Sequence, residues 1–177
     1  MSVGTAGTSA CATFPATVVQ INVSRGGIPK RPIPEGILTP LGIEGDSHAH
    51  PQFHGGPSKA VLLIASEVVD QLVTKGYPVY YGALGENFTT RGLDPKILRS
   101  GQRLRMGSAV IELTTVRIPC STLDIYGPAI KKEIYDKNVR NGDVSSPRWA
   151  LSGFYASVIQ IGRIATDDPV VIESTLA

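Results

Sequence analysis

The stretch Leu113 to Leu123, LTTVRIPCSTL, holds the two groups of this chain best suited to joint chemistry, the Arg117 guanidinium and the Cys120 thiol. The β-branched run Thr114, Thr115 and Val116 predicts the end of a strand. Pro119, which cannot donate to a sheet ladder, predicts its stop. Cys120 follows at once, three positions after Arg117. A thiol presented at a strand end beside a guanidinium has a lowered pKa and reacts as thiolate. The same cysteine also reads as a small buried hydrophobe, the usual role of a free cysteine, and the pattern leaves both readings open. The one other cysteine, Cys11, lies in a leader of small residues.

A second group of candidates follows from His48-Ala-His50-Pro-Gln-Phe-His54-Gly55-Gly56, which contains all three histidines. Imidazole is a common metal ligand, so His48, His50 and His54 form a candidate metal set. Against it, the spacing matches no zinc signature, no nearby cysteine completes the ligands, and Pro51 keeps a regular helix or strand from aligning the rings. His54, Gly55 and Gly56 with Lys59 are a candidate anion cradle. Glycines let backbone N–H groups approach a ligand, and successive N–H groups form an anion-binding concavity. An ordinary glycine turn entering a strand fits the same residues. Glu86 and Asn87, after Gly85, fit either the polar lining of a cleft or a turn with a solvated carboxylate.

The elements that must position these groups are short. With 177 residues, 42% hydrophobic and 18% charged, the chain predicts one domain over 17–177 with a sizeable core, preceded by a disordered leader over 1–16. A net charge of +2 and few aromatics argue against nucleic acid and a membrane surface as partners. No apolar run reaches the roughly 20 residues of a membrane span. Two cysteines far apart in sequence fit a reducing cytoplasm. Strands are predicted over 18–23 (with Val19, Ile21 and Val23 on one face), at 37–38, over 60–65, 103–106, 109–116, 154–161 and 170–173. Gly107-Ser108 is a two-residue hairpin signal that puts Leu104 and Met106 inward. Pro29, Pro32 and Pro34 keep their stretch out of a central sheet position. One helix is predicted from an N-cap at Ser66 to Gly76 and another over 128–138. This pattern predicts a mostly-β (α+β) fold, a closed β-barrel with two to four helices packed outside.

The order of five short motifs resembles the MOSC domain family, named for the C-terminal domain of molybdenum-cofactor sulfurase. They are Gly42-Ile-Glu-Gly-Asp46, His54-Gly-Gly-Pro-Ser-Lys-Ala-Val61, Gly85-Glu-Asn87 with Arg91-Gly-Leu93, Arg117-Ile-Pro-Cys120, and Ser152-Gly-Phe-Tyr-Ala-Ser-Val158. The chain is most similar to the short stand-alone bacterial members, over about Val18 to Glu173. Val116 stands where many members have proline, and Gln102 where aspartate is usual.

The resemblance implies a β-barrel that binds a molybdenum cofactor (molybdopterin), with Cys120 either a molybdenum ligand or the carrier of a persulfide. Arg117 would keep that thiolate charged or face the cofactor's anionic part. His54, Gly55, Gly56 and Lys59 would hold a terminal phosphate, and Glu86 and Asn87 the pterin's amide edge. The family's association with pyridoxal phosphate comes with the resemblance too. Three functions stay open: a reductase component acting on N-hydroxylated compounds, a sulfur carrier, and a non-catalytic cofactor-binding module. No cysteine cluster for an iron–sulfur centre is present, so the expected partners are a separate electron-donor or sulfur-donor protein, and the expected assembly is a monomer or homodimer.

Overall fold

The run Val61–Ala65 builds the middle of the molecule because all five of its residues are apolar and buried. A strand covered on both faces needs such an unbroken run. In the computed structural model, which describes residues 15–47 and 55–173, it is β5. The strands before it are β1 (Thr17–Val23), β2 (Arg31–Ile33), β3 (Glu35–Thr39) and β4 (Gly42–Ile43). After it come helix α1 (Ser66–Thr74) and strands β6 (Phe88–Arg91), β7 (Arg103–Met106) and β8 (Ala109–Val116). Helices α2 (Ile130–Ile134) and α3 (Lys137–Arg140) precede β9 (Phe154–Gln160), β10 (Gly162–Ala165) and β11 (Val170–Glu173).

The expected closed barrel is corrected here. The strands form an open eight-stranded sheet, ordered β11-β7-β8-β9-β5-β6-β1-β2, and a separate three-stranded sheet, β10-β3-β4. With its three α-helices the fold is mixed α/β. Prolines limit the ladders where closure would be needed. β2 is a three-residue edge containing Pro32, and the contact of β1 with the chain just before β11 is an isolated bridge between Thr17 and Pro169. Around that bridge Val18 N–H donates to Asp168 O (2.9 Å) and Val170 N–H to Ala16 O (2.7 Å), but no ladder follows. Pairing is antiparallel except between β5 and β6, which run parallel.

β5 divides the core. Val61 and Leu63 join a cluster with Ile21, Phe88, Leu104, Met106, Ile111 and Phe154. Leu62 and Ile64 face the other way, onto Val68, Val69 and Leu72 of α1 and onto Leu84, Leu123, Ile130 and Ile134. The hairpin β7–β8 forms as read: Leu104 and Met106 are fully buried, Arg103 and Arg105 exposed, and Gly107 takes the positive φ of the turn.

Three local expectations change. In β1 the buried residues are Val18, Ile21 and Asn22, because a bulge between Val18 and Gln20 breaks the alternation that favoured Val19, Ile21 and Val23. Helix α1 is capped by Ala65 without a side-chain bond, and Ser66 lies inside it, buried. The helix expected over 128–138 divides in two. Tyr135 and Asp136 are extended, and the Asp136 carboxylate caps α3 by accepting from Val139 N–H at 2.9 Å. Met1 to Phe14 of the expected leader, and His48, His50 and His54, lie outside the described residues.

Candidate functional site

β8 ends at Val116, three residues before the expected stop at Pro119. Arg117 is held just beyond it: its N–H donates to Gly153 O (2.8 Å), and its carbonyl accepts from the Ser152 hydroxyl (2.6 Å). The side chain is 5% exposed, and Nη1 is buried with no hydrogen-bond partner among the described residues. Cys120 then opens a 3-10 turn over Ser121–Tyr126. Cys120 is half-buried, so the small-hydrophobe reading does not describe it. Its sulfur lies 2.7 Å from the Thr122 hydroxyl.

These groups share one cleft, open at its mouth and lined by Cys120, Arg117, Lys59, Asn87, Tyr155 and Thr122 among others. Burial pushes the Cys120 thiol up. Hydrogen bonds from the Thr122 hydroxyl and backbone, together with the Arg117 charge, outweigh that and leave the thiol below its ordinary range. The site is therefore built to hold a thiolate. Alkylation of Cys120 is expected to rise with pH through a midpoint lower than that of an unperturbed thiol. Arg117→Gln removes a cation that favours the anion, so it moves the midpoint upward. A rate profile with iodoacetamide checks both, and an unchanged midpoint in the variant refutes the role given to Arg117.

The other expected site residues divide. Lys59 ends the 3-10 turn Pro57–Lys59 and places Nζ 5.5 Å from the Tyr155 ring centroid. Gly55 and Gly56 take positive φ, but neither lines the described cleft. Asn87 does, with its amide committed: Oδ1 accepts from Leu62 N–H (3.1 Å), and Nδ2 donates to Asn22 O (3.2 Å) and Asp46 Oδ2 (2.7 Å). Glu86 lies behind the wall, fully buried. Its Oε1 accepts from Gly82 N–H (2.6 Å) and the Thr89 hydroxyl (3.2 Å), while Oε2 has no hydrogen-bond partner among the described residues. Burial raises its carboxyl above the usual range despite those bonds and Arg117. Among the described residues no cluster of three metal-ligating side chains occurs.

Sequence reading missed four contributors. Lys30 lines the cleft with its ammonium on both oxygens of Asp46 (2.5 and 2.6 Å), and Asp46 also accepts from Ser24 N–H at 2.8 Å. Asp46 closes the Gly42–Asp46 motif, which was the available signal. Lys30, set between prolines, gave none. Thr122 was hidden in a short polar run, and Tyr155 was read only as a strand residue.

A half-buried thiol beside a buried guanidinium, in a cleft walled by a mixed sheet, is an arrangement chemically suited to an anionic or soft-metal group. The MOSC domain profile matches residues 50–171, and the chain belongs to that family. It is 30% identical over 149 residues to protein YiiM of Escherichia coli and 31% identical over 144 residues to the uncharacterized protein YflK of Bacillus subtilis. Those matches cover 80% and 78% of this chain but only 60% and 59% of the relatives' length. The crystal structure of YiiM from Geobacillus stearothermophilus superposes with a TM-score of 0.67 at 25% identity, over 90% of this chain and 76% of that one. No helix among the described residues is long and apolar enough to cross a membrane.

Proposed function

We propose that this chain binds a molybdenum cofactor through the Cys120 thiolate and serves as a component of a reductase acting on N-hydroxylated compounds. The observation that supports it is the pairing of a half-buried sulfur with a buried Arg117 whose Nη1 has no hydrogen-bond partner among the described residues. Buried donors are normally satisfied, so an orphaned guanidinium N–H beside a thiolate fits an anionic group not supplied by the protein. A thiolate also suits a soft, redox-active metal where a hydroxyl would not. Cys120 would ligate the metal, while Arg117 and Lys59 would face the cofactor's anionic parts. When bound, the cofactor supplies two-electron chemistry at an N–OH group. The residues around it keep the sulfur ionised and hold the walls in place. Neither of the chain's two cysteines belongs to a cluster, so electrons would come from a separate donor protein.

The test is metal and pterin analysis of protein purified from a molybdenum-replete host. One molybdenum per chain is expected, lost in Cys120→Ala, with turnover of N-hydroxylated bases by the unaltered protein. Cyanide-labile sulfur on Cys120 without metal would replace this reading with a sulfur carrier, and protein with neither would leave a binding module.

A further inference from the structure

Reduction of an N-hydroxylated compound breaks an N–O bond and consumes protons, so the cleft needs an acid. The balance is R–NH–OH + 2 e⁻ + 2 H⁺ → R–NH₂ + H₂O, with nitrogen reduced and both electrons coming from the donor protein. Of the described titratable side chains that line the cleft, most are committed. Arg117 does not release its proton. Lys30 is 5% exposed and locked on both oxygens of Asp46. Cys120 is the ligand in the reading above. The other two are Lys59 and Tyr155, with the Lys59 ammonium 5.5 Å from the Tyr155 ring centroid.

We propose that Tyr155 is the acid of this cleft, its phenol giving one proton to the oxygen that leaves as water, with Lys59 and Arg117 holding the phenolate. The second proton, and the one that restores Tyr155, come from solvent at the cleft mouth. This rests on the reductase reading. The placement follows from the sheet. Tyr155 sits in β9 between Leu62 of β5 and Thr115 of β8, which carries its ring into the cleft beside Arg117 and Cys120. The Arg117 guanidinium lines the same cleft and acts on the phenol by its charge. Burial keeps the phenol protonated until its proton is needed, while the Arg117 charge favours the anion that forms. A cation over the ring face does the same.

The test uses Tyr155→Phe and Lys59→Met made in the molybdenum-loaded protein, with a reductant and an N-hydroxylated base. Removing a general acid is expected to lower kcat on the order of 10²–10⁴-fold. In Tyr155→Phe, KM, molybdenum content and the alkylation midpoint of Cys120 in metal-free protein should be unchanged. Lys59→Met should lower kcat less. In metal-free protein, tyrosinate absorbance gives a second readout: the titration that disappears in Tyr155→Phe should move to higher pH in Arg117→Gln. A Tyr155→Phe protein with full metal and unchanged kcat overturns the proposal and spares the reductase reading. So does a larger loss in Lys59→Met than in Tyr155→Phe, or a tyrosine titration indifferent to Arg117. Unaltered protein that binds molybdenum but never turns over, or binds none, overturns the reductase reading and with it the acid.

Discussion

Asp46→Ala is expected to destabilise the protein by about 3–5 kcal/mol, the cost of leaving one member of a buried ion pair uncompensated. The pair is well shielded, with side-chain exposures of 5% for Lys30 and 3% for Asp46, so solvent screening does little to weaken it. The loss is also distributed. Asp46 holds the Ser24 N–H, the Lys30 ammonium and the Asn87 amide at once, tying the loop after β4 to the end of β1, the segment before β2 and the entrance of β6. Urea denaturation followed by circular dichroism measures the change. Lys30→Met combined with Asp46→Leu should recover much of it, since replacing both charges removes the uncompensated one. A loss below about 1 kcal/mol in the single variant would mean that the pair behaves like an exposed one.

Gly153→Ala is expected to cost roughly 2–5 kcal/mol and to disturb the thiol site as well. Gly153 has a φ of +96°, where an L residue loses about 1–2 kcal/mol. An added Cβ would lie 2.5 Å from Leu63 O and 2.7 Å from Ile64 Cγ1. Such overpacking costs typically about 1–3 kcal/mol. The backbone that must shift to relieve the clash is the one whose carbonyl accepts the Arg117 N–H, so the guanidinium moves with it. The expected result is a lower urea midpoint together with a higher alkylation midpoint for Cys120. A destabilised protein with an unaltered Cys120 profile would show that Arg117 is positioned by Ser152 alone.

What could be read before the structure was whatever a short window encodes. The all-apolar run of β5, the β7–β8 hairpin with its glycine turn, and the Arg117–Cys120 spacing are local facts, and they stand. Cys120, Arg117, Lys59 and Asn87 do line one cleft although they come from distant parts of the chain. Glu86 was misplaced because a buried carboxylate and a solvated one look alike in sequence; only Gly82 and Thr89, brought round by the fold, tell them apart. Closure into a barrel was overcalled because strand count says nothing about whether the outer strands find each other. Pro32 and Pro169, each lacking a donor, stand where that would have been decided. The split of the helix after Pro128 turned on Asp136, whose capping bond competes with continuing the helix.

The placement of β5 against β9 has a consequence for biosynthesis. Val61 is registered against Ala156, so the middle of the sheet can be completed only after β9, some ninety residues further on, has left the ribosome. Until then a strand of five apolar residues offers one unpaired edge and two greasy faces to whatever is nearby. A chain interrupted before Phe154 is therefore expected to aggregate or engage chaperones rather than persist as a smaller folded unit.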